Sequence, residues 1–298
     1  MMFSAYIKRS TVAKSFISQF QRRSTVHQNP RDFVFAYGSL IDPASRAISA
    51  PSLGKQGALP ITVNHLERVW SARTKSGWTA MGVRFRLGAY VNGVLLEVDQ
   101  DELVYLDERE ANYLRVQVHL DHVELMVLDG EGGGDEKSGA ISNAKHEQNG
   151  LVKIWVYVQK ETIPSDHSHP IPQSYVDVIL RGCLKISRDF ARSFIETTNG
   201  WYGEDEELEA NYVNDRNLPL YIRADDTILE THGEEIDELL EEHQVSGGRA
   251  EYDPSSHLTA LEAATQVDKA SPLALERVLR RLESTSSIEP VSSGEEST

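Results

Sequence analysis

The chain has little that a disulfide-stapled, membrane-spanning or nucleic-acid-binding protein would need. Cys183 is the single cysteine among 298 residues, so no disulfide can form within the chain, and a reducing compartment or an organelle interior suits it. No apolar run approaches the ~20 residues of a membrane-spanning helix, although apolar residues make up 40% of the chain, enough for a core. Positive charge is scarce. The formal net charge is −16, which argues against a nucleic-acid partner. No internal repeat is visible.

The basic residues that exist are unevenly placed. Residues 1–31 contain Lys8, Arg9, Lys14, Arg22, Arg23 and Arg31 and no acid. Removing these cations leaves −22 on residues 32–298. Ser and Thr are frequent in this leader, and Val12, Phe16, Ile17 and Phe20 lie along one helical stripe. That pattern reads as a transit peptide for a mitochondrion or plastid; a disordered basic tail on a cytoplasmic protein is the alternative.

From 33 to 159 the pattern is mostly β. Phe33–Tyr37 is an apolar run ending at Gly38, and Ile61–Trp70, Thr79–Arg86 and Tyr90–Val98 read as strands. In Tyr113–Asp121, Leu114, Val116, Val118 and Leu120 alternate with Arg115, Gln117, His119 and Asp121, the mark of a half-buried strand. Val152, Ile154, Val156 and Val158 repeat it, with Trp155 and Tyr157 on the other face. Residues 129–150 read as a Gly- and Asp-rich loop. Asp99 and Glu102 resemble a capping box for a helix over about 100–111. A second helix starts after Pro172, with Val176, Ile179, Leu180 and Cys183 along one stripe. Many strands with few crossover helices argue an α+β domain over 32–203, built on a curled or barrel-like mixed sheet. An acidic, partly helical extension over 204–283 follows, with Ile236, Leu239 and Leu240 on one short helix and a second helix over Leu275–Leu282. Residues 284–298 read as a disordered tail.

Two features point to chemistry. On a helix over 100–111, Leu103 and Leu106 define the apolar stripe, and Glu110 falls between them. A carboxylate there is costly unless it is paired or borders a wet pocket. Burial raises a carboxyl pKa toward neutrality, as proton transfer requires. The competing reading is a helix end that turns outward, leaving Glu110 solvated or paired with Arg115. The second feature is Tyr37-Gly38-Ser39-Leu40, where a strand runs into a glycine turn. Successive N–H groups at such a turn can cradle a carboxylate; Gly38 permits the required φ, and the Ser39 hydroxyl adds a donor. The same four residues also suit an ordinary turn.

Tyr37-Gly38-Ser39-Leu40, then Leu106-Asp107-Glu108-Arg109-Glu110 about seventy residues on, then Pro170-Ile171-Pro172-Gln173-Ser174-Tyr175 opening a helix, together resemble the γ-glutamylcyclotransferase family over roughly residues 32–190. The resemblance implies a small mixed β-barrel flanked by helices, with a cavity floored by the Tyr37–Leu40 loop. It implies that the loop amides bind the α-carboxylate of a small-molecule γ-glutamyl substrate. Glu110 takes the proton of its α-amine, Tyr157 and Tyr175 line the cavity, and neither metal nor cofactor takes part. The products are 5-oxoproline and a free amine. A non-catalytic carboxylate-binding module on the same fold is the alternative. Leu40 stands where the best-known members have Asn and Ala111 where many have Gly, and residues 105–111 are similar to the glutathione-specific branch, so the departing amine is left open. His167 and His169 read as a surface loop rather than half a metal site, Cys183 as a packed thiol, 204–209 as a solvated acidic face, and Asn214-Asp215-Arg216 as a turn or a contact back onto the core.

Overall fold

The computed structural model describes residues 31–49, 51–55, 57–126, 152–201, 212–217, 219–221, 227–245 and 250–251. The leader up to residue 30, the loop 129–150, the acidic stretch 204–209, the helix expected over Leu275–Leu282 and the tail 284–298 lie outside these residues.

The strands are β1 Arg31–Ala36, β2 Leu59–Arg73, β3 Thr79–Val98, β4 Tyr113–Val118, β5 Val123–Leu125, β6 Val152–Gln159, β7 Ile171–Pro172, β8 Thr198–Asn199, β9 Tyr212–Asn214 and β10 Ala250–Glu251. The main sheet runs β4-β6-β1-β3-β2-β5, with β8 pairing β2. It is mixed, because β1 runs parallel to β6 and antiparallel to β3. β1 is buried from Asp32 to Ala36, which is why its sequence is a continuous apolar run and does not alternate. β4 is the edge strand, so its expected inward row is only partly covered: Leu114 is 52% exposed, whereas Val118 is buried.

The two strands expected over Thr79–Arg86 and Tyr90–Val98 are one strand, β3. Its pairing with β2 breaks between them, since Asn64 faces Tyr90 and Leu66 faces Phe85. One residue of β2, His65 at φ 65, therefore opposes the bulging Arg86–Ala89 stretch. A second irregularity falls at Ser71. Such bulges sharpen twist, and the sheet curls into a half-barrel. Across the curl, the Ser71 hydroxyl donates to Gln159 Oε1 at 2.7 Å. Gly93 allows the tight seam between β3 and the end of β1: a Cβ there would lie 2.4 Å from the Ala36 carbonyl oxygen.

Six helices flank the sheet among the described residues: α1 Pro43–Ser49, α2 Pro51–Lys55, α3 Gln100–Arg109, α4 Gln173–Leu184, α5 Arg188–Glu196 and α6 Thr227–Glu242. The expected capping box opens α3: the Glu102 N–H donates to Asp99 Oδ1 at 2.8 Å and the Asp99 N–H to Glu102 Oε2 at 2.9 Å. Leu103 and Leu106 are buried beneath it. α4 is not the one-sided helix its stripe implied. Every residue from Gln173 to Cys183 is buried, because α5 packs on it and the C-terminal extension, with α6 and β9, covers its outer side. Cys183 is packed as expected, and burial pushes its thiol well up from the usual value. In α6, Ile236, Leu239 and Leu240 are fully buried. Among the described residues no helix is long and apolar enough to cross a membrane.

Candidate active site

The apolar strand β1 delivers the chain to the mouth of the curl, where it turns sharply. A 3-10 turn over Ser39–Ile41 closes with the Ile41 N–H on the Gly38 carbonyl at 2.9 Å and the Asp42 N–H on the Ser39 carbonyl at 3.2 Å. The first amides of such a turn have no partner within it, and among the described residues the Ser39 and Leu40 N–H groups meet no acceptor. This is the turn expected from the sequence. Gly38 has φ −137 and ψ −137, so its φ is not left-handed. A Cβ at Gly38 would stand 3.3 Å from the Tyr175 hydroxyl, which would have to yield by a few tenths of an ångström, and 3.6 Å from Met81 Cβ, an ordinary contact.

The turn is braced from behind on both sides. Asp42, fully buried, receives Arg181 Nη2 at 2.6 Å, Lys185 Nζ at 3.0 Å and the Ser45 N–H at 2.9 Å. Burial alone would raise its carboxyl pKa, but these donors outweigh it and hold the group below the usual range. Gly182 of α4 lets this corner sit against the helix, since a Cβ there would lie 2.5 Å from Asp42 N. On the other side stands Arg68, fully buried. Its guanidinium donates to the Tyr37 carbonyl at 3.3 Å, to the Asn92 carbonyl at 2.9 Å, to Asn92 Oδ1 at 2.6 Å, to the Phe194 carbonyl at 3.0 Å and to the Thr197 and Thr198 hydroxyls. It lies 3.6 Å over the Phe194 ring. All these partners are neutral, and burial lowers its pKa to about 9.

Glu110 reaches the same cavity from α3. The helix ends at Arg109, one residue before the expected stripe closes, and Glu110 is its C-cap, with its N–H on the Leu106 carbonyl at 2.8 Å and its own carbonyl receiving the Tyr113 N–H at 2.8 Å. Its side chain is 19% exposed, with Oε1 3.1 Å from Arg109 Nε. The pairing with Arg115 does not occur: Arg115 bridges to Asp107 at 3.0 Å and lies over the Trp155 ring. The backbone held on both sides of Glu110 keeps its carboxylate at the cavity.

One cavity of about 580 Å³ is lined by Tyr37, Gly38, Ser39, Leu40, Glu110, Tyr157 and Tyr175 together, so all seven residues singled out in the sequence meet. Tyr37 donates to the Tyr157 carbonyl at 2.6 Å, and the Tyr157 hydroxyl donates to Asp107 Oδ1 at 2.9 Å. Several lining residues had no signal as such. Tyr113, whose hydroxyl donates to the Met81 carbonyl at 3.1 Å, starts β4 on the face read as polar; that face turns into the cavity at this end because Arg115 pairs with Tyr157 in register. Trp78, Met81, Leu220 and Tyr221 also line the cavity. Burial, with neighbouring charges that include Glu110, raises the phenol pKa of Tyr37, Tyr113, Tyr157 and Tyr175. All four are neutral hydroxyls at neutral pH. The site thus presents free amide donors, neutral phenols and one carboxylate, a set able to hold an anionic group and move a proton beside it.

Among the described residues no group of three or more His, Cys, Asp or Glu is placed to hold a metal ion. His169 sits in a tight turn instead, its N–H on Asp166 Oδ1 at 2.9 Å and its carbonyl receiving the Thr79 hydroxyl at 2.7 Å.

Comparison with known proteins agrees with the fold. Residues 34–175 match the family described as Gamma-glutamyl cyclotransferase, AIG2-like. No curated protein sequence matches the chain. Similar solved structures include an uncharacterized protein from Homo sapiens at 16% identity and TM-score 0.40, covering 60% of this chain and 95% of that one. Another is a gamma-glutamyl cyclotransferase at 16% identity and TM-score 0.39, covering 59% and 94%. A third is a yeast cyclotransferase described as specific to glutathione, at 13% identity and TM-score 0.33, covering 57% and 93%. The match spans residues 34–175, just under half of the chain, with the glycine turn near one end and Tyr175 at the other.

Proposed function

We propose that the chain is a γ-glutamylcyclotransferase that converts a γ-glutamyl amide into 5-oxoproline and a free amine. The observation that carries this reading is the meeting of Glu110 with the Ser39–Leu40 amides on one cavity. The two free N–H groups take the substrate α-carboxylate. This places the α-ammonium toward Glu110, which accepts its proton. The freed amine nitrogen attacks the γ-carbonyl carbon, closing a five-membered ring. As the tetrahedral centre collapses and the γ-amide C–N bond breaks, the ring nitrogen loses its second proton and the departing nitrogen gains two, the one held by Glu110 and the one from the ring nitrogen, and leaves as an ammonium. The phenols of Tyr37, Tyr113 and Tyr157, whose hydroxyls are held on the Tyr157 carbonyl, the Met81 carbonyl and Asp107, line the cavity without adding charge that would compete with Glu110. Ring closure within one molecule gains from being held in an attack-ready shape. Proton transfer by a positioned side chain contributes about 10²–10⁴ in rate.

The test is Glu110→Gln. We expect release of 5-oxoproline to fall by about 10²–10⁴ while the melting temperature stays near wild type, because the side chain is paired only with its neighbour Arg109. Turnover equal to wild type would refute the role. Release from none of glutathione, γ-glutamyl-alanine and γ-glutamyl-lysine by the unmodified chain would favour a carboxylate-binding module on the same fold.

A further inference from the structure

The family match ends at Tyr175, yet the cavity has a wall that comes from beyond it. β9 pairs in parallel with β7, immediately ahead of α4. The chain then makes a short, heavily bonded run back over the start of that helix. Asp215, 1% exposed, accepts the Ser174 N–H at 2.7 Å, the Ser174 hydroxyl at 2.6 Å and the Leu220 N–H at 2.6 Å. The Ser174 hydroxyl oxygen in turn accepts the Tyr221 N–H at 3.1 Å. Arg216 grips Asp177 through two bonds at 2.8 and 2.9 Å and Asp237 at 2.7 Å. The backbone of Tyr221 thus hangs from the same turn of α4 that carries Tyr175.

The consequence is a set aromatic wall. The Tyr221 ring stands 4.8 Å from the Tyr175 ring and 5.7 Å from Trp78, and Trp78 stands 5.2 Å from Tyr175. The Tyr175 hydroxyl lies over Gly38, the Tyr221 hydroxyl stands 3.5 Å from that of Ser45 behind the turn, and Tyr221, Trp78 and Leu220 line the same cavity. A cavity of about 580 Å³ lies in the range that encloses a whole small-molecule ligand. The cradle and Glu110 account for the glutamyl end, which leaves this wall as the aromatic side of the cavity open to the departing amine.

We propose that Tyr221, fixed by the Asp215–Ser174 clamp, is a specificity-determining residue that favours γ-glutamyl substrates whose departing amine bears an apolar or aromatic side chain. This rests on the cyclotransferase reading and adds the substrate class to it. A flat ring packed against Tyr221 and Trp78 gains both area burial and ring geometry, whereas a glycine-sized amine leaves the wall untouched. The clamp explains why a segment outside the matched domain ends with its ring in the cavity and not merely against the core.

The experiment is steady-state release of 5-oxoproline from γ-glutamyl-phenylalanine and γ-glutamyl-glycine by the full chain and by Tyr221→Ala. The wild type should prefer the phenylalanine substrate. Tyr221→Ala should lower kcat/KM for it by about tenfold or more, chiefly through KM, and change the glycine substrate by less than about threefold, the scale set by losing one side of an apolar pocket. Tyr221→Phe should keep the preference. If Tyr221→Ala does not fold, Tyr221→Leu carries the test, because it keeps apolar volume and removes the ring; the preference should then fall by about threefold or more. A wild type that turns over both substrates without discrimination, or a variant that loses both equally, overturns this inference alone. A wild type that releases 5-oxoproline from neither dipeptide nor from glutathione overturns the cyclotransferase reading and this inference with it.

Discussion

The curled sheet and the C-terminal extension are held by different physics. The sheet is a continuous apolar core in which the buried Arg68 is satisfied entirely by neutral oxygens, while the buried Glu67 on the same strand is paired with Arg84 and Arg86. The extension is docked by charge: Arg216 between Asp177 and Asp237, and Arg188 of α5 against Glu235, Glu238 and Glu242 of α6. Among its described residues, Tyr212, Leu220, Tyr221, Ile236, Leu239, Leu240 and Val245 add apolar burial there. The cradle and the carboxylate belong to the first region and the outer cavity wall to the second. Chemistry and selectivity should therefore be separable by mutation.

Glu110→Gln should be the largest effect on function, confined to rate with stability intact, and a large melting-temperature loss would break the division drawn here. Arg68→Met should be the largest effect on stability, because it strands several buried oxygens at once. We expect about 3 kcal/mol or more of lost unfolding free energy in urea titration, affecting sheet and extension alike. Arg216→Leu leaves Asp177 buried without its cation, a loss on the order of 3 kcal/mol. Here the damage should be local: hydrogen exchange should accelerate in α6 and β9 before β1, β3 and β6. Equal acceleration throughout would show that the two regions unfold as one.

A pH experiment sharpens the same contrast. Burial raises the Asp215 carboxyl to about 6, well above the ordinary range of an aspartate. A folded pKa above the unfolded one means that this group's stabilisation is complete below about pH 4 and is lost as pH rises through 6. The loss is on the order of 3 kcal/mol. Asp215→Asn should remove that slope, so the stability difference between wild type and variant should change between pH 4 and 7; a difference independent of pH would contradict it. The smallest effect belongs to Arg188→Ala. Its partners are largely exposed, and the melting temperature should drop by no more than about 2 °C, less still in high salt.

Residues close in sequence were read well. The apolar run of β1, the alternation in β6 and the capping box of α3 are local signals, and each element formed where its period placed it. β3 was read as two strands because Leu87 and Gly88 interrupt its pattern; the structure keeps the strand and breaks the pairing instead. α4 looked one-sided because Gln173, Ser174, Asp177 and Arg181 are polar, yet each is buried against a partner from a distant segment. Polar residues that pair across the fold are indistinguishable in sequence from polar residues facing water.

Apart from the two tyrosines, to which only the family resemblance pointed, what the chain alone determined was the set of groups able to do chemistry: a glycine turn at a strand end and a carboxylate on the apolar side of a helix end. Those follow from residue type and local period, which need no knowledge of the rest of the fold. That they share one cavity and that Tyr221 completes the wall were decided by tertiary structure. The reason is physical: cavities and clamps are made by groups far apart along the chain, brought together only when the curled sheet and α4 are packed.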